Sequence, residues 1–202
     1  MSTNPYKTLS FHVRGITPLV MANCALADPR NKYAQEIATI KLKPPKRKTL
    51  EDHNRVQDLQ WWGSLYRTKD DDGDIAIPAR CVEGMLKAAA TEQRKGTDVR
   101  IACYAPKAHY PLIYKGPKDL AKLALDTAYR MTFLQPTASG GKTLTTYPMF
   151  PEWEFEFDIC YHPEKLNPSA IERMVDHAGA FLGFLALRPR HGRFVTLTNG
   201  SQ

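Results

Sequence analysis

Thr8-Leu9-Ser10-Phe11-His12-Val13-Arg14-Gly15-Ile16-Thr17-Pro18-Leu19 is the stretch on which the fold turns. It reads as a β-strand that ends in a Gly and a Thr-Pro. Much later, Gly73-Asp74-Ile75-Ala76-Ile77-Pro78 runs straight into a helix expected from Ala79 to roughly Gly96. Val82, Met85, Leu86, Ala89 and Ala90 fall on one face of that helix, and Gly96 is suited to end it. The two segments read as the halves of one small fold.

Further along, Trp153-Glu154-Phe155-Glu156-Phe157-Asp158-Ile159-Cys160-Tyr161 alternates apolar and acidic residues, which predicts a strand with one buried and one wet face. Asn167-Pro168 then opens a helix, with Asn as N-cap and Pro at the first helical position. Its apolar stripe runs through Ile171, Met174, Val175, Ala178, Phe181, Leu182 and Leu185. Arg193-Phe194-Val195-Thr196-Leu197 gives a last strand. Between these elements, Val99 to Tyr104 and His109 to Tyr114 are strand candidates. Tyr129 to Leu134 and Thr143 to Tyr147 flank Ser139-Gly140-Gly141-Lys142 as a hairpin with a Gly-rich tip.

Two segments stand outside this order. Met21 to Thr49 is expected to be a solvated loop, because Pro44-Pro45 blocks helix and the cations around it repel. Thr49 then caps a helix to about Tyr66, with Glu51 and Asp52 in its first turn. Without insertions the order is βαββαβ, so the fold class is α+β with a ferredoxin-like or RRM core. One domain, 1–202, is expected, with an insertion over 20–72 and a hairpin insertion over 128–148.

The strand closing on Gly-x-Thr-Pro-Leu, followed by Ile-Pro opening a Gly-containing helix, resembles the Cas7-like RAMP proteins, RRM-like subunits that form the RNA-binding backbone of CRISPR effectors. The resemblance implies an insertion after the first strand, a thumb-like hairpin between the second and third core strands, and self-assembly along RNA, with other effector subunits as further partners. It also implies a basic Gly-containing loop near the end of the fold, which Arg188-Pro189-Arg190-His191-Gly192-Arg193 matches with one Gly. Thr17-Pro18-Leu19, Phe150-Pro151-Glu152-Trp153 and Arg188-Pro189-Arg190 are also similar to small phage and prophage proteins.

The bulk composition agrees with a nucleic-acid partner. The chain has 202 residues and a formal net charge of +7, and a basic balance favours polyanions through counterion release. No stretch approaches the ~18–20 apolar residues of a membrane span, and the N-terminus is no signal peptide, so a cytoplasmic protein is expected. Cys24, Cys81, Cys103 and Cys160 show no metal-ligand spacing; four small buried thiols are expected, with no metal and no cofactor.

The residues expected to hold phosphates are Arg14, Lys41, Lys43, Lys46, Arg47, Lys48, Lys142, Arg188, Arg190 and Arg193. Phe11 and Phe194 lie on strands where an RRM would display stacking rings. The RNP1 signature is absent, however, and the Cas7-like resemblance implies a grip on the backbone by loops instead. Trp61, Trp62 and Trp153 are expected to pack in the core. Gly140-Gly141-Lys142-Thr143 is not a P-loop, since Pro136 replaces the leading Gly and a strand follows. Asp70-Asp71-Asp72-Gly73-Asp74 lacks the ligand pattern of an EF-hand and reads as a turn. Catalysis is not expected. The candidates for an endoribonuclease are His12 and His191 as general acid and base. A third is Asp28, which the resemblance places where some relatives carry a cleaving Asp. A single-stranded DNA-binding or recombination-accessory role is the alternative reading.

Overall fold

The computed structural model describes residues 5–69, 73–136 and 140–197. In chain order come β1 (Lys7–Gly15), β2 (Leu19–Val20), α1 (Lys32–Leu42), α2 (Leu50–Ser64) and β3 (Ala76–Pro78). They are followed by α3 (Ala79–Glu92), α4 (Gly96–Ala102), β4 (Cys103–Tyr104), β5 (His109–Pro111), β6 (Ile113–Tyr114) and α5 (Leu120–Leu125). The hairpin strands β7 (Arg130–Pro136) and β8 (Lys142–Phe150) precede β9 (Trp153–Tyr161), α6 (Pro168–His177) and β10 (Phe194–Thr196). The fold is mixed, with antiparallel sheets.

The chain divides into two compact units. The first comprises 1–19, 67–115 and 152–202; the second comprises 20–66 and 116–151. Most of the segments expected as insertions lie in the second. Asp70, Asp71 and Asp72 of the acidic turn, and Ser139 of the hairpin tip, lie outside the described residues.

The first unit is built on a sheet in the order β10-β1-β9-β4, with β6 also paired to β9. β1 and β9 run antiparallel, with Phe11 opposite Phe157 and Val13 opposite Phe155. Because side chains alternate across a strand, these four share one face, and all four are buried. Phe155 stacks against Phe157 at 5.1 Å and against Phe184 at 5.4 Å. The apolar stripes of α3 and α6 are buried as well. Each fully buried Phe contributes roughly 1.5–3 kcal/mol of transfer free energy.

This geometry decides between a stacking sheet and a grip by loops at Phe11 and Phe194. Both rings are buried, at 6% and 2% exposure, so neither is displayed for stacking. The opposite face of the sheet carries Ser10, His12, Arg14, Glu154, Glu156 and Asp158 instead. Trp61 and Trp153 are buried as expected, and Trp62 is half-buried. Of the cysteines, Cys160 is buried, Cys81 and Cys103 are half-buried and Cys24 is exposed.

Several element boundaries also differ from expectation. α3 stops at Glu92, and Gly96 opens α4 rather than closing α3. Val99 to Ala102 is therefore helical, not strand: Val99 and Ala102, three apart, are its buried residues. α6 gives way after His177 to a wider π-type turn, Ala178–Leu182. Phe181 is consequently 63% exposed, and the apolar stripe does not continue to Leu185.

The second unit contains the three-stranded sheet β2-β8-β7, the helices α1, α2 and α5, and short 3-10 turns. The expected solvated loop over 21–49 is largely ordered. The Asn31 side chain accepts from Tyr33 and Ala34 N–H and opens α1, which buries Ile37. Pro44-Pro45 does not block this helix; it follows the C-cap Lys43 and leads into a 3-10 turn, Pro45–Arg47. Thr49 and Asp52 form a reciprocal capping box at the start of α2.

Candidate nucleic-acid interface

α2 is the wall on which the second unit's basic groove is built. Arg55 grips Glu36 through two hydrogen bonds of 2.7 and 3.0 Å, tying α2 to α1. On the other side, buried Gln60 accepts from the Thr146 N–H at 3.0 Å. Gln57 Oε1 takes the Thr146 hydroxyl at 3.4 Å, and Thr146 Oγ1 lies 2.8 Å from Thr132 Oγ1 across the hairpin. Satisfied buried polar groups of this kind fix one geometry, because any other arrangement leaves them unpaired. The hairpin is thus registered against α2.

Between α1, α2 and the hairpin tip lies a groove of about 310 Å³. Lys41 and Lys48 reach it from the segment around Pro44-Pro45, and Lys142 from the start of β8, about a hundred residues later in the chain. Ile40, Val56, Leu134 and Leu144 line it with apolar surface, and His53 and Gln57 add polar groups. Asp52 also borders the groove. Lys43 pairs with it at 2.6 Å, and this bond together with the Thr49 N–H holds the Asp52 carboxyl below its usual range. Lys43 is therefore spent on neutralising a groove carboxylate.

Lys41, Lys46, Arg47, Lys48 and Lys142 take part in no ion pair among the described residues. Arg30, Arg55 and Arg130 do, with Asp28, Glu36 and Asp58. An unpaired cation is the kind that keeps its full attraction for a phosphate. Sequence reasoning found these lysines by charge but missed His53 and Gln57. Their i, i+4 spacing on a capped helix was the available signal.

The second basic element is the turn 188–193 in the first unit. Gly192 has φ +73° and its Cα faces the Phe184 backbone so closely that any Cβ would overlap it. The Gly192 N–H donates to Pro18 O at 2.9 Å, and the Arg193 N–H donates to Thr17 Oγ1 at 2.9 Å. Ile16 N–H in turn donates to Arg193 O at 2.8 Å. Trp153 Nε1 donates to Thr17 O at 2.9 Å, and Gly15 leaves room for its indole. Gly15-Ile16-Thr17-Pro18 and the basic turn, about 175 residues apart, are thus one structural element.

Within that turn, Arg188 and Arg190 are exposed, while Arg193 Nε donates to Pro189 O. His191 is half-buried with Nδ1 lacking a hydrogen-bond partner among the described residues. Burial, with a smaller push from Arg190, lowers the His191 pKa below its ordinary value.

The remaining candidates are held by neighbours. Arg14 Nε donates to Glu154 Oε1 at 2.7 Å, and His12 Nε2 lies 2.8 Å from Glu154 Oε2. Arg14 first, and His12 after it, hold the Glu154 carboxyl below its usual range. Asp28 accepts from Arg30 Nε and Nη2 at 3.1 and 2.9 Å. Among the described residues no group of three or more His, Cys, Asp or Glu side chains is placed to hold a metal ion. No helix of the described residues is long and apolar enough to cross a membrane. The chain matches no protein-family model and no curated protein sequence.

Proposed function

We propose that the chain is a non-catalytic, sequence-tolerant binder of single-stranded nucleic acid, preferring RNA, and that it is a Cas7-like RAMP protein with a ferredoxin-like core. The observation that carries the binding role is the convergence of Lys41, Lys48 and Lys142 on one groove with apolar walls, none of them neutralised by a carboxylate among the described residues. Lysines fit backbone tracking as mobile point charges, and the aliphatic walls suit sugar and base edges without selecting a sequence. Arg188 and Arg190 supply a second exposed cationic patch.

For the fold, the support is the strand order β10-β1-β9-β4. With α3 and α6, and the short elements between them set aside, it reads as βαββαβ with the core strands ordered fourth, first, third, second, an order that supports a ferredoxin-like core. The buried Phe11 and Phe194 argue for a grip by loops rather than by a stacking sheet. Copies assemble side by side along the strand in this reading. Asp28 and His12, both engaged by neighbours, favour binding over cleavage.

The test is fluorescence anisotropy on a ~40-nucleotide single-stranded RNA and the matched DNA, over a salt series. Lys41→Glu, Lys48→Glu and Lys142→Glu combined should weaken RNA binding ~10-fold or more. The salt slope should flatten by about 2, near 0.7 for each phosphate the variant no longer neutralises. Unchanged affinity sinks the groove as the interface. Equal or tighter binding to DNA moves the chain to the DNA-binding alternative, and light scattering on the same samples reads the assembly.

A further inference from the structure

The first unit holds a second cavity, bordered by Gly84, the glycine of the helix that Ile77-Pro78 opens. About 410 Å³ in volume, it lies between α3, α4 and β4, within the range of small-ligand sites. Leu86, Val99 and Ile159, all buried, form its apolar base. Tyr104, 41% exposed, supplies an aromatic wall.

Its rim is cationic. Arg80 and Lys87 stand seven residues apart on α3, two turns along one face, and Arg100 approaches from α4. The carboxylate at the rim, Glu83, is engaged: its Oε1 accepts the Ala105 N–H at 3.0 Å. Burial pushes the Cys103 thiol up to about 11, so it stays neutral at pH 7 and adds no negative charge.

Gly84 faces the same cavity from the middle of α3. A Cβ there would meet nothing within 4 Å, and the residue is exposed. Glycine inside a helix is destabilising relative to alanine, and no packing neighbour explains it here. The missing side chain instead deepens the cavity between the two α3 cations.

We propose that this cavity binds a single nucleotide, with its base on Tyr104 and the aliphatic base of the cavity and its phosphate against Arg80, Lys87 and Arg100. An apolar slot with one aromatic wall and a positive rim matches an amphiphile whose flat apolar part and anionic part lie close together. The proposal stands apart from the strand-binding groove, which belongs to the other unit, and either can fail alone.

The experiment is calorimetric titration of the full chain with 5′-AMP, 5′-CMP, adenosine and inorganic phosphate, each up to 5 mM. The expected result is saturable binding of the nucleotides, with adenosine and phosphate each ~10-fold weaker or more. Gly84→Leu should abolish it, while Gly84→Ala should weaken it and raise Tm by roughly 2–4 °C. The gain in stability with a loss of binding separates a filled pocket from a damaged fold. Phosphate binding as tightly as 5′-AMP, nucleotide binding untouched in Gly84→Leu, or no nucleotide binding at all would each overturn the proposal. The RNA salt series on Gly84→Leu reads the groove separately.

Discussion

The chain's two basic segments look alike as sequence and differ as structure. Lys41 to Lys48 surrounds a Pro-Pro pair, and Arg188 to Arg193 surrounds a Pro and a Gly. In the first, the backbone is a short 3-10 turn at the surface, and Lys41, Lys46, Arg47 and Lys48 have no ion-pair partner among the described residues. In the second, the backbone itself is the structural part: Gly192 and Arg193 donate to Pro18 and Thr17 and lock the turn to the end of β1. A cluster of cations therefore has no single meaning. Where the intervening backbone is committed to packing, substitution breaks the fold first. Where it is free, substitution changes the surface charge first.

The strongest effect should come from the structural side. Gly192→Val forces a β-branched residue to φ +73° and drives a Cβ into the Phe184 backbone. Stability should fall by about 3 kcal/mol or more, and Tm by roughly 6–12 °C. An unaltered melting curve would mean that the turn is not anchored. Thr17→Val comes next. It removes the acceptor for Arg193 N–H at constant shape, costing about 1–3 kcal/mol by urea denaturation, with RNA affinity unmoved wherever the variant is fully folded.

A smaller effect is expected from the arginines themselves. Arg188→Ala with Arg190→Ala should lower RNA affinity ~3-fold and flatten the salt slope by about 1, leaving Tm within ~2 °C. A drop larger than that of the groove variants would reverse the ranking of the two regions. The subtlest test is of pH. The His191 pKa is depressed by burial in the folded state, so the unfolded chain binds the proton more readily. Stability should therefore fall as pH drops through the ordinary histidine value of 6.5 towards the lower folded pKa. His191→Gln should flatten that limb of a urea series between pH ~7.5 and ~5.5, and an equally steep limb in the variant would assign it to another group.

How much of this was legible depended on how local the signal was. β9 and the start of α6 follow from alternation and from Asn167-Pro168, both contained in a few neighbouring residues. The Thr49 cap was equally plain. α1 was hidden because a Pro-Pro and a run of lysines dominated the segment, although Asn31 and the spacing of Tyr33, Ile37 and Ile40 carried the helix signal. Val99 to Ala102 misled through β-branched residues whose burial is set by tertiary packing. The groove was half visible: charge marked Lys41, Lys48 and Lys142, but only folding brings the three together. The bond from Arg193 to Thr17 spans 176 positions and leaves no trace in periodicity.

The second unit is assembled from two separate stretches of chain, and this bears on how the protein is made. Gln60 leaves the ribosome 86 residues before Thr146, the partner that satisfies it, and Trp61 emerges 68 residues before the Tyr129 carbonyl its indole binds. At roughly 5–20 residues per second, helix α2 waits about 4–17 s with a tryptophan and a buried-to-be glutamine uncovered. During synthesis this is the interval most open to proteases and most in need of a chaperone. Nascent chains stalled near residue 115 should be cut within α2, and chains stalled well after Phe150 should resist.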